Sequence, residues 1–427
     1  MQGQTADTLP VYTLQECLER GLEQNYSVRI SRNEQQIASN NATWGNAGFL
    51  PEVTLSAGYN ASMNDERTNL TDGTSTSTNG SINQSVTAGL DLSMTLFNGF
   101  TVQTNWRRLK ELEAMGALSA RITIEDFVAS LTSEYYNLIQ QELRLKNYHY
   151  AVQLSAERMR IVEARYLLGG GSRLEVLQAR VDMNADSSQL INQKELVMTS
   201  RVRLNQLMSN DNVGQEFAVG DSLITINAAL EWGDLHRRMT EVNAELLQAA
   251  ASTTLSQLDL RTVQSRNYPY LRLNAGYGYG INGYNRGTTR NRHTWGPDAG
   301  LSLGFTIFDG NRHREIRNAR IETDNARLRE VEVQTALEAN LSTFWQAYLN
   351  NLQLLTLERQ NLVAARQNHE IAKERYMLGD LAGIEMREAQ KSLLDASERI
   401  LVAEYNTKMC EISLLQISGQ ILTYIDR

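Results

Sequence analysis

The chain has 427 residues with 41 Lys and Arg against 49 Asp and Glu, a net charge of −8; this balance argues against a general nucleic-acid binder, which needs clustered basic residues. Proline occurs 4 times, under 1% of the chain where about 5% is usual, which excludes collagen-like and proline-rich chains and permits very long helices, because proline breaks helix interiors. Hydrophobic residues reach 41%, enough for a core, yet no apolar run is long enough for a membrane-spanning α-helix.

In chain order, Met1–Pro10 is polar and lacks the apolar segment of a secretory signal. Either the protein is cytosolic or the sequence begins at a mature end. Thr13-Leu14-Gln15-Glu16 reads as a capping box, which predicts a helix start near Leu14. Around Pro51 the pattern changes from helical to alternating: Val53, Leu55, Ala57 and Tyr59 face away from Thr54, Ser56, Gly58 and Asn60. The same alternation from Val86 to Leu96 predicts a second strand, so strands are expected over about 52–62 and 85–97, separated by a polar loop, Met63–Gln84. After Leu96-Phe97-Asn98-Gly99 the pattern is helical for 68 residues, 101–168. At about 1.5 Å per residue this is roughly 100 Å of helix. Leu131, Leu138, Leu145, Val152, Met159 and Tyr166 recur by sevens, a coiled-coil period. Gly169 ends the run, and a return helix is expected over 173–209.

Asn210–Asp221 reads as an irregular link on the outside of the bundle, after which the plan repeats. Arg165-Tyr166-Leu167-Leu168-Gly169 matches Arg375-Tyr376-Met377-Leu378-Gly379 at an offset of 210. Leu96-Phe97-Asn98-Gly99 matches Ile307-Phe308-Asp309-Gly310 at 211, and Pro51 and Asn25 pair with Pro269 and Asn243 at 218. The chain is therefore a tandem duplication, 1–210 and 211–427, too long in period for a solenoid. The second half predicts strands over about 270–281 and 297–308 around a polar loop, Asn282–Gly296, with Pro297 opening the last strand. A long helix over 311–378 and a return helix over 384–418 follow.

Four strands of about ten residues have the length of tilted membrane strands, apolar on one side and small and polar on the other. Phe49, Phe97, Tyr268, Tyr270 and Phe308 at their far ends suit interfacial girdles. Four strands cannot close a barrel, and an open edge in lipid leaves backbone groups unsatisfied, so an obligate oligomer is expected. A half-exposed sheet in a soluble coiled-coil scaffold is the competing reading.

Chemistry is sparse. Gly278-Tyr279-Gly280-Ile281-Asn282-Gly283 fits G-x-G-x-x-G, but a polar loop and no helix follows, so no dinucleotide site is expected. The five histidines show no metal-ligand spacing, and no serine or cysteine sits in a nucleophile motif. The chain reads as a non-enzyme without cofactor or metal. Cys17 and Cys410 leave two alternatives, buried thiols or one long-range disulfide.

The ordered set of duplicated features resembles the TolC-like outer-membrane efflux proteins, or outer membrane factors, over essentially the whole chain. Its carriers are the helix–hairpin–helix plan, the prolines at helix-to-strand switches, the Phe-Asx-Gly pair, and the Arg-Tyr-x-x-Gly tips followed by Glu175-Val176-Leu177-Gln178-Ala179. The resemblance implies a mainly α protomer with a membrane β part. It also implies a homotrimer whose twelve-stranded β-barrel in the outer membrane is continuous with a periplasmic barrel of twelve helices. The implied function is the exit duct of a tripartite efflux pump or type I secretion system. It would be completed by a periplasmic adaptor (membrane fusion) protein and an inner-membrane transporter, with outer-membrane lipid around the barrel and a signal peptide already removed.

By the same resemblance, Arg165, Tyr166, Leu168 and Gly169, with Arg375, Tyr376, Leu378 and Gly379, are the hairpin tips that meet the adaptor. Glu385 and Glu388 fall where relatives carry the acidic ring of the periplasmic gate. Three features depart from the family pattern: Leu381 stands where a basic latch residue can occur, Gly170-Gly171 loosens one tip, and Asn25-Tyr26 and Asn243-Ala244 replace a frequent Asn-Pro. Conduction is expected to be passive, through a lumen of Ser, Thr, Gly and Asn that leaves drugs, metals, glycolipids and proteins open as cargo. An adaptor-independent, porin-like channel is the remaining alternative.

Overall fold

The computed structural model describes residues 9–425. Its first half runs β1 (Val11–Tyr12), α1 (Leu14–Gln24), α2 (Tyr26–Asn41), α3 (Trp44–Ala47), β2 (Glu52–Asn69), β3 (Ser75–Asn98), α4 (Thr101–Leu167) and α5 (Arg173–Leu207). The second half runs β4 (Ala218–Val219), α6 (Trp232–Val242), α7 (Ala244–Ser265), β5 (Tyr270–Tyr284), β6 (Asn291–Gly304), α8 (Arg312–Leu378) and α9 (Gly383–Ile417), closed by a 3-10 turn, Ile421–Tyr424. Two compact units form, each drawing on both halves: 35–116 with 249–329, and the described residues of 9–34, 117–248 and 330–425. Among the described residues no helix is long and apolar enough to cross a membrane.

The first unit is built on an antiparallel sheet of order β2-β3-β5-β6. The two hairpins, one from each half, join at β3 and β5, while β2 and β6 leave their outer edges open. The strands extend further than their alternation indicated. Residues expected in the polar loop 63–84 continue the ladder to Asn69 and from Ser75, with a register shift between Asn64 and Glu66. The turn closes where Asp72 Oδ1 accepts from the Thr74 N–H at 2.9 Å and Gly73 takes a φ of 86°. A ladder of Thr, Ser and Asn has no hydrophobic alternation to mark it, yet its backbone groups pair all the same. In the second hairpin β6 begins at Asn291 and ends at Gly304, so Pro297 lies inside the strand and 305–308 lie past it. Pro297 stands opposite Tyr277 of β5, and within one chain β6 has a neighbour on that side only, so its missing N–H breaks no second ladder of this chain.

The second unit is helical. The expected capping box forms: Glu16 Oε2 accepts from the Thr13 N–H at 2.8 Å, and Thr13 Oγ1 accepts from the Glu16 N–H at 3.3 Å. One core gathers Leu18, Val28, Leu131, Tyr135, Leu138 and Leu204, and another Leu235, Met239, Leu341, Tyr348 and Leu414. The duplicated asparagines tie the return helices down: Asn25 donates to Leu207 O and Asn243 to Ile417 O, both at 2.9 Å. Each also accepts from the start of its following helix, Asn25 from Ser27 N–H and Asn243 from Leu246 N–H. The link after α5 is corrected: its Ala218–Val219 pairs in parallel with Val11–Tyr12, and Phe217 is fully buried against Tyr12. An aromatic side chain in a polar stretch finds a core place once a strand bridge fixes the backbone.

Cys17 and Cys410 are buried, unpaired thiols in different clusters, which removes the disulfide alternative. Burial pushes the Cys17 thiol up to about 12, and Cys410 lies 3.6 Å from Asn351 Nδ2. A dry ion pair sits nearby on α9. Lys408 Nζ is 2.9 Å from Glu411 Oε1. That carboxylate also accepts from Tyr424 Oη at 2.8 Å and Asn227 N–H at 2.9 Å. The rings of Tyr136 and Tyr424 stand about 5 Å from the ammonium. A buried pair that makes further hydrogen bonds fixes geometry, here that of the segment around Asn227 and the 3-10 turn at Tyr424.

Candidate functional site

Both helical hairpins turn on a glycine with positive φ, Gly169 at 79° and Gly379 at 89°. At each tip the N–H two residues past the leucine, of Gly170 and of Asp380, donates back to the arginine carbonyl, of Arg165 and of Arg375. This is the six-to-one bond of a Schellman stop. On the first hairpin Ser172 then opens α5 with a capping box to Glu175. On the second, Ala382 has no side-chain acceptor, and Glu385 Oε2 accepts its N–H at 3.3 Å. Thus Glu385 has a local role at the helix start, while Glu388, one turn on, is exposed.

The tip residues divide unequally. Leu168 and Leu378 are both largely exposed, as are their neighbours Leu167, Leu174 and Ile384. Tyr376 is 4% exposed and Tyr166 44%. The difference comes from Arg165, whose guanidinium stacks 4.6 Å over the Tyr376 ring and donates to the Tyr376 carbonyl. Burial raises the Tyr376 pKa. Arg375 turns to its own tip, donating to Asp380 O at 3.4 Å.

Two to nearly five turns behind the tips lies a polar tie that the sequence reading missed. Arg387 of α9 grips Asp186 of α5 with two hydrogen bonds, 2.9 and 3.0 Å, and its Nε stands 3.9 Å from Asp182. Those bonds raise the already high Arg387 pKa. Arg158 of α4 pairs with Asp182, and Ser155 donates to Asp186. Gln390 completes the tie from α9, donating to Ser155 Oγ at 3.1 Å. A second bridge joins Lys373 of α8 to Glu157 of α4 at 3.3 Å. The network therefore binds the two hairpins to each other where the expected gate residues sit, and Arg387 stands between Glu385 and Glu388 in the sequence. The available signal was Asp182 and Asp186 at a four-residue spacing on one face of a helix. Their partner could not be read, because it lies on the other hairpin.

Among the described residues no group of His, Cys, Asp and Glu could hold a metal ion. The architecture is that of a duplicated helix–hairpin–helix protomer with long coiled-coil hairpins and an open-edged sheet. The model of the outer membrane efflux protein family matches the chain twice, over residues 17–210 and 235–420. The chain belongs to that family, and it is an outer-membrane protein with a large periplasmic part. It is 19% identical over 410 residues to outer membrane protein TolC of Vibrio cholerae, covering 91% of this chain and 86% of that protein. Its fold is similar to the outer membrane protein VceC of Vibrio cholerae, with a TM-score of 0.79 at 16% identity over 95% of this chain and 96% of the other. It is similar also to the MtrE outer membrane channel of Neisseria gonorrhoeae in its open state, with a TM-score of 0.73 at 15% identity over 96% and 89%.

Proposed function

We propose that the chain is the outer-membrane exit duct of a tripartite efflux pump or type I secretion system. It passes cargo passively from a periplasmic adaptor and inner-membrane transporter to the exterior. The observation that carries this reading is the sheet: β2 and β6 have open edges, and apolar residues such as Leu55, Leu301 and Leu303 are exposed. In water such a sheet aggregates, and in lipid its edges must be paired. Three copies pairing β6 to β2 close twelve strands with no edge, apolar residues toward lipid and Ser, Thr and Gly toward a water-filled lumen. The exposed apolar edges disfavour a soluble scaffold.

In the helical unit, Leu168, Gly169, Leu378 and Gly379 with Tyr166 and Arg375 form the surface that meets the adaptor. Glu385 and Glu388 from three protomers ring the narrowest point, where six carboxylates repel one another and attract cations. Opening moves α9 away from α5. The Arg387 grip on Asp186 and Asp182 opposes that motion. Energy for transport comes from the inner-membrane partner. The test is complementation of a strain lacking its efflux duct, together with fractionation and bilayer recording. The chain is expected to restore drug resistance, sediment with outer membranes and conduct in a planar bilayer. A chain that stays soluble without detergent overturns the reading. Full activity without an adaptor supports a porin-like channel instead.

A further inference from the structure

The helical ends that adjoin the strands carry a charge pattern opposite to that of the whole chain. Residues 101–110, 261–269 and 311–320 hold nine Lys and Arg and one acid, Glu315, in a chain whose net charge is −8. Helix α4 contributes Arg107, Arg108 and Lys110, and α7 contributes Arg261 and Arg266. The first turns of α8 add Arg312, Arg314, Arg317 and Arg320. Some of this charge is answered within the unit: Arg108 by Asp259 at 2.9 Å, Lys110 by Glu113 at 2.7 Å, and Arg266 by Glu315 at 2.6 Å. Arg107 and Arg261 form no ion pair among the described residues.

Those two arginines line one cavity of about 400 Å³ between α4 and α7, with Lys110, Trp106 and a single carboxylate, Glu111. The Lys110 ammonium lies 5.1 Å from the Trp106 ring, which stacks on Trp44 at 5.1 Å. The site is thus cationic beside an indole shelf. Its depth is set by the chain: Arg107 follows the helix start at Thr101 by six residues, roughly 9 Å along the axis. The strand ends directly above carry Phe97, Phe100 and Tyr268 in edge-to-face contact. Headgroup regions begin just outside the hydrocarbon and extend several ångströms. Aromatic side chains mark that boundary, and basic ones beyond it meet anionic lipid.

We propose that this rim binds anionic phospholipid of the periplasm-facing leaflet, with Arg107, Lys110 and Arg261 holding a headgroup phosphate beside Trp106. The inference rests on the reading of the sheet as membrane-embedded and adds a ligand to a face that reading leaves unassigned. An inorganic anion would need only the cations. The indole shelf beside them suits the glycerol and acyl portion of a lipid.

The full chain, purified in detergent, is offered an equal mixture of phosphatidylglycerol and phosphatidylethanolamine, and retained lipid is counted by native mass spectrometry. Preferential retention of phosphatidylglycerol is expected. Substituting Arg107→Gln, Lys110→Gln and Arg261→Gln together should erase that preference, by about fivefold for each cation removed. Should the triple variant fail to fold, Arg261→Gln alone is expected to lose about fivefold. Arg292→Gln, in the far part of the sheet, should change nothing, and an equal loss there overturns the site in favour of diffuse charge. Displacement of the lipid by millimolar inorganic phosphate, or equal retention of both lipids, also overturns it. Flotation with vesicles separates the two readings. A native chain that does not float defeats the membrane assignment itself, whereas one that floats without lipid preference defeats only this inference.

Discussion

The two hairpin tips began as copies of one sequence, Arg-Tyr-x-Leu-Gly, and the fold uses them differently. Arg165 of the first tip reaches across to Tyr376 of the second, stacking on the ring and bonding its carbonyl. The remaining members, Tyr166 and Arg375, stay largely at the surface. Duplication thus supplied two arginines and two tyrosines, of which one cross-pair became structural and the other stayed at the surface. A motif conserved between repeats therefore need not mean a repeated role. The turn glycines keep a shared role, since both occupy the left-handed region and neither has a neighbour within 4 Å of an added Cβ.

The comparison can be broken first at the glycines. Gly169→Trp and Gly379→Trp meet open space, so the protein should still assemble, with a backbone strain of about 1 kcal/mol each. Efflux should nevertheless be abolished if the tips dock the adaptor as proposed, because the bulk would stand on that surface. Normal drug resistance in these variants would contradict docking at either tip, and loss in only one would rank them. Next is the tie behind the tips. Arg387→Gln strands Asp182 and Asp186 without their partner, and a partly buried pair broken on one side costs about 2–3 kcal/mol, below the fully buried range. Conductance in a planar bilayer should rise as α9 loosens, and the thermal midpoint should fall. An unchanged channel would mean that the tie is not part of the gate.

Smaller effects distinguish the arginines. Arg165→Lys loses the planar stack and part of the carbonyl bonding, for about 1 kcal/mol, while Arg375→Lys should change stability by a few tenths of that at most. Equal shifts in thermal midpoint would erase the asymmetry between the tips. Glu385→Gln with Glu388→Gln should weaken block by divalent cations in single-channel recordings with little change in stability. The Ala382 N–H bond to the Glu385 carboxylate can still be accepted by a glutamine oxygen. Block that persists would remove these two residues from the constriction.

What could be read from sequence follows the range of the physics. The capping box at Thr13 and the glycine stops at 169 and 379 are local, complete within a few residues, and therefore visible in a string. The helix–hairpin–helix plan was legible because heptad and alternating periods differ and because each occurs twice. The strand extensions to Asn69 and from Ser75 were not, since a ladder of Thr, Ser and Asn carries no hydrophobic alternation. Pro297 misled for a related reason: where β6 begins is set by its pairing with β5 from Asn291 on, which local pattern does not mark. The tie of Arg387 to Asp186 lay furthest out of reach. It depends on the register of one hairpin against the other, which nothing within either hairpin fixes.

The last difference between the hairpins is the smallest in energy and lies in the coiled-coil seam. His369 of α8 occupies the place that Met159 holds in α4, 210 residues earlier. It is fully buried, and neither ring nitrogen has a hydrogen-bond partner. Burial lowers its pKa, with Glu370 and Glu157 acting to raise it and Lys373 to lower it further. The unfolded chain therefore binds the proton more readily than the folded one, and stability rises with pH across the interval between the two values. The contribution of the neutral ring is complete above the ordinary histidine pKa of about 6.5 and is lost as the pH falls from there through the folded value. Thermal midpoints of the purified protein should accordingly drop on acidification from pH 7.5 to 5. His369→Met, which restores the residue of the first hairpin, should flatten that drop while leaving the neutral-pH midpoint nearly unchanged. If the variant and the native chain fall in parallel, the acid sensitivity belongs to other groups, and the seam of the second hairpin is no more titratable than that of the first.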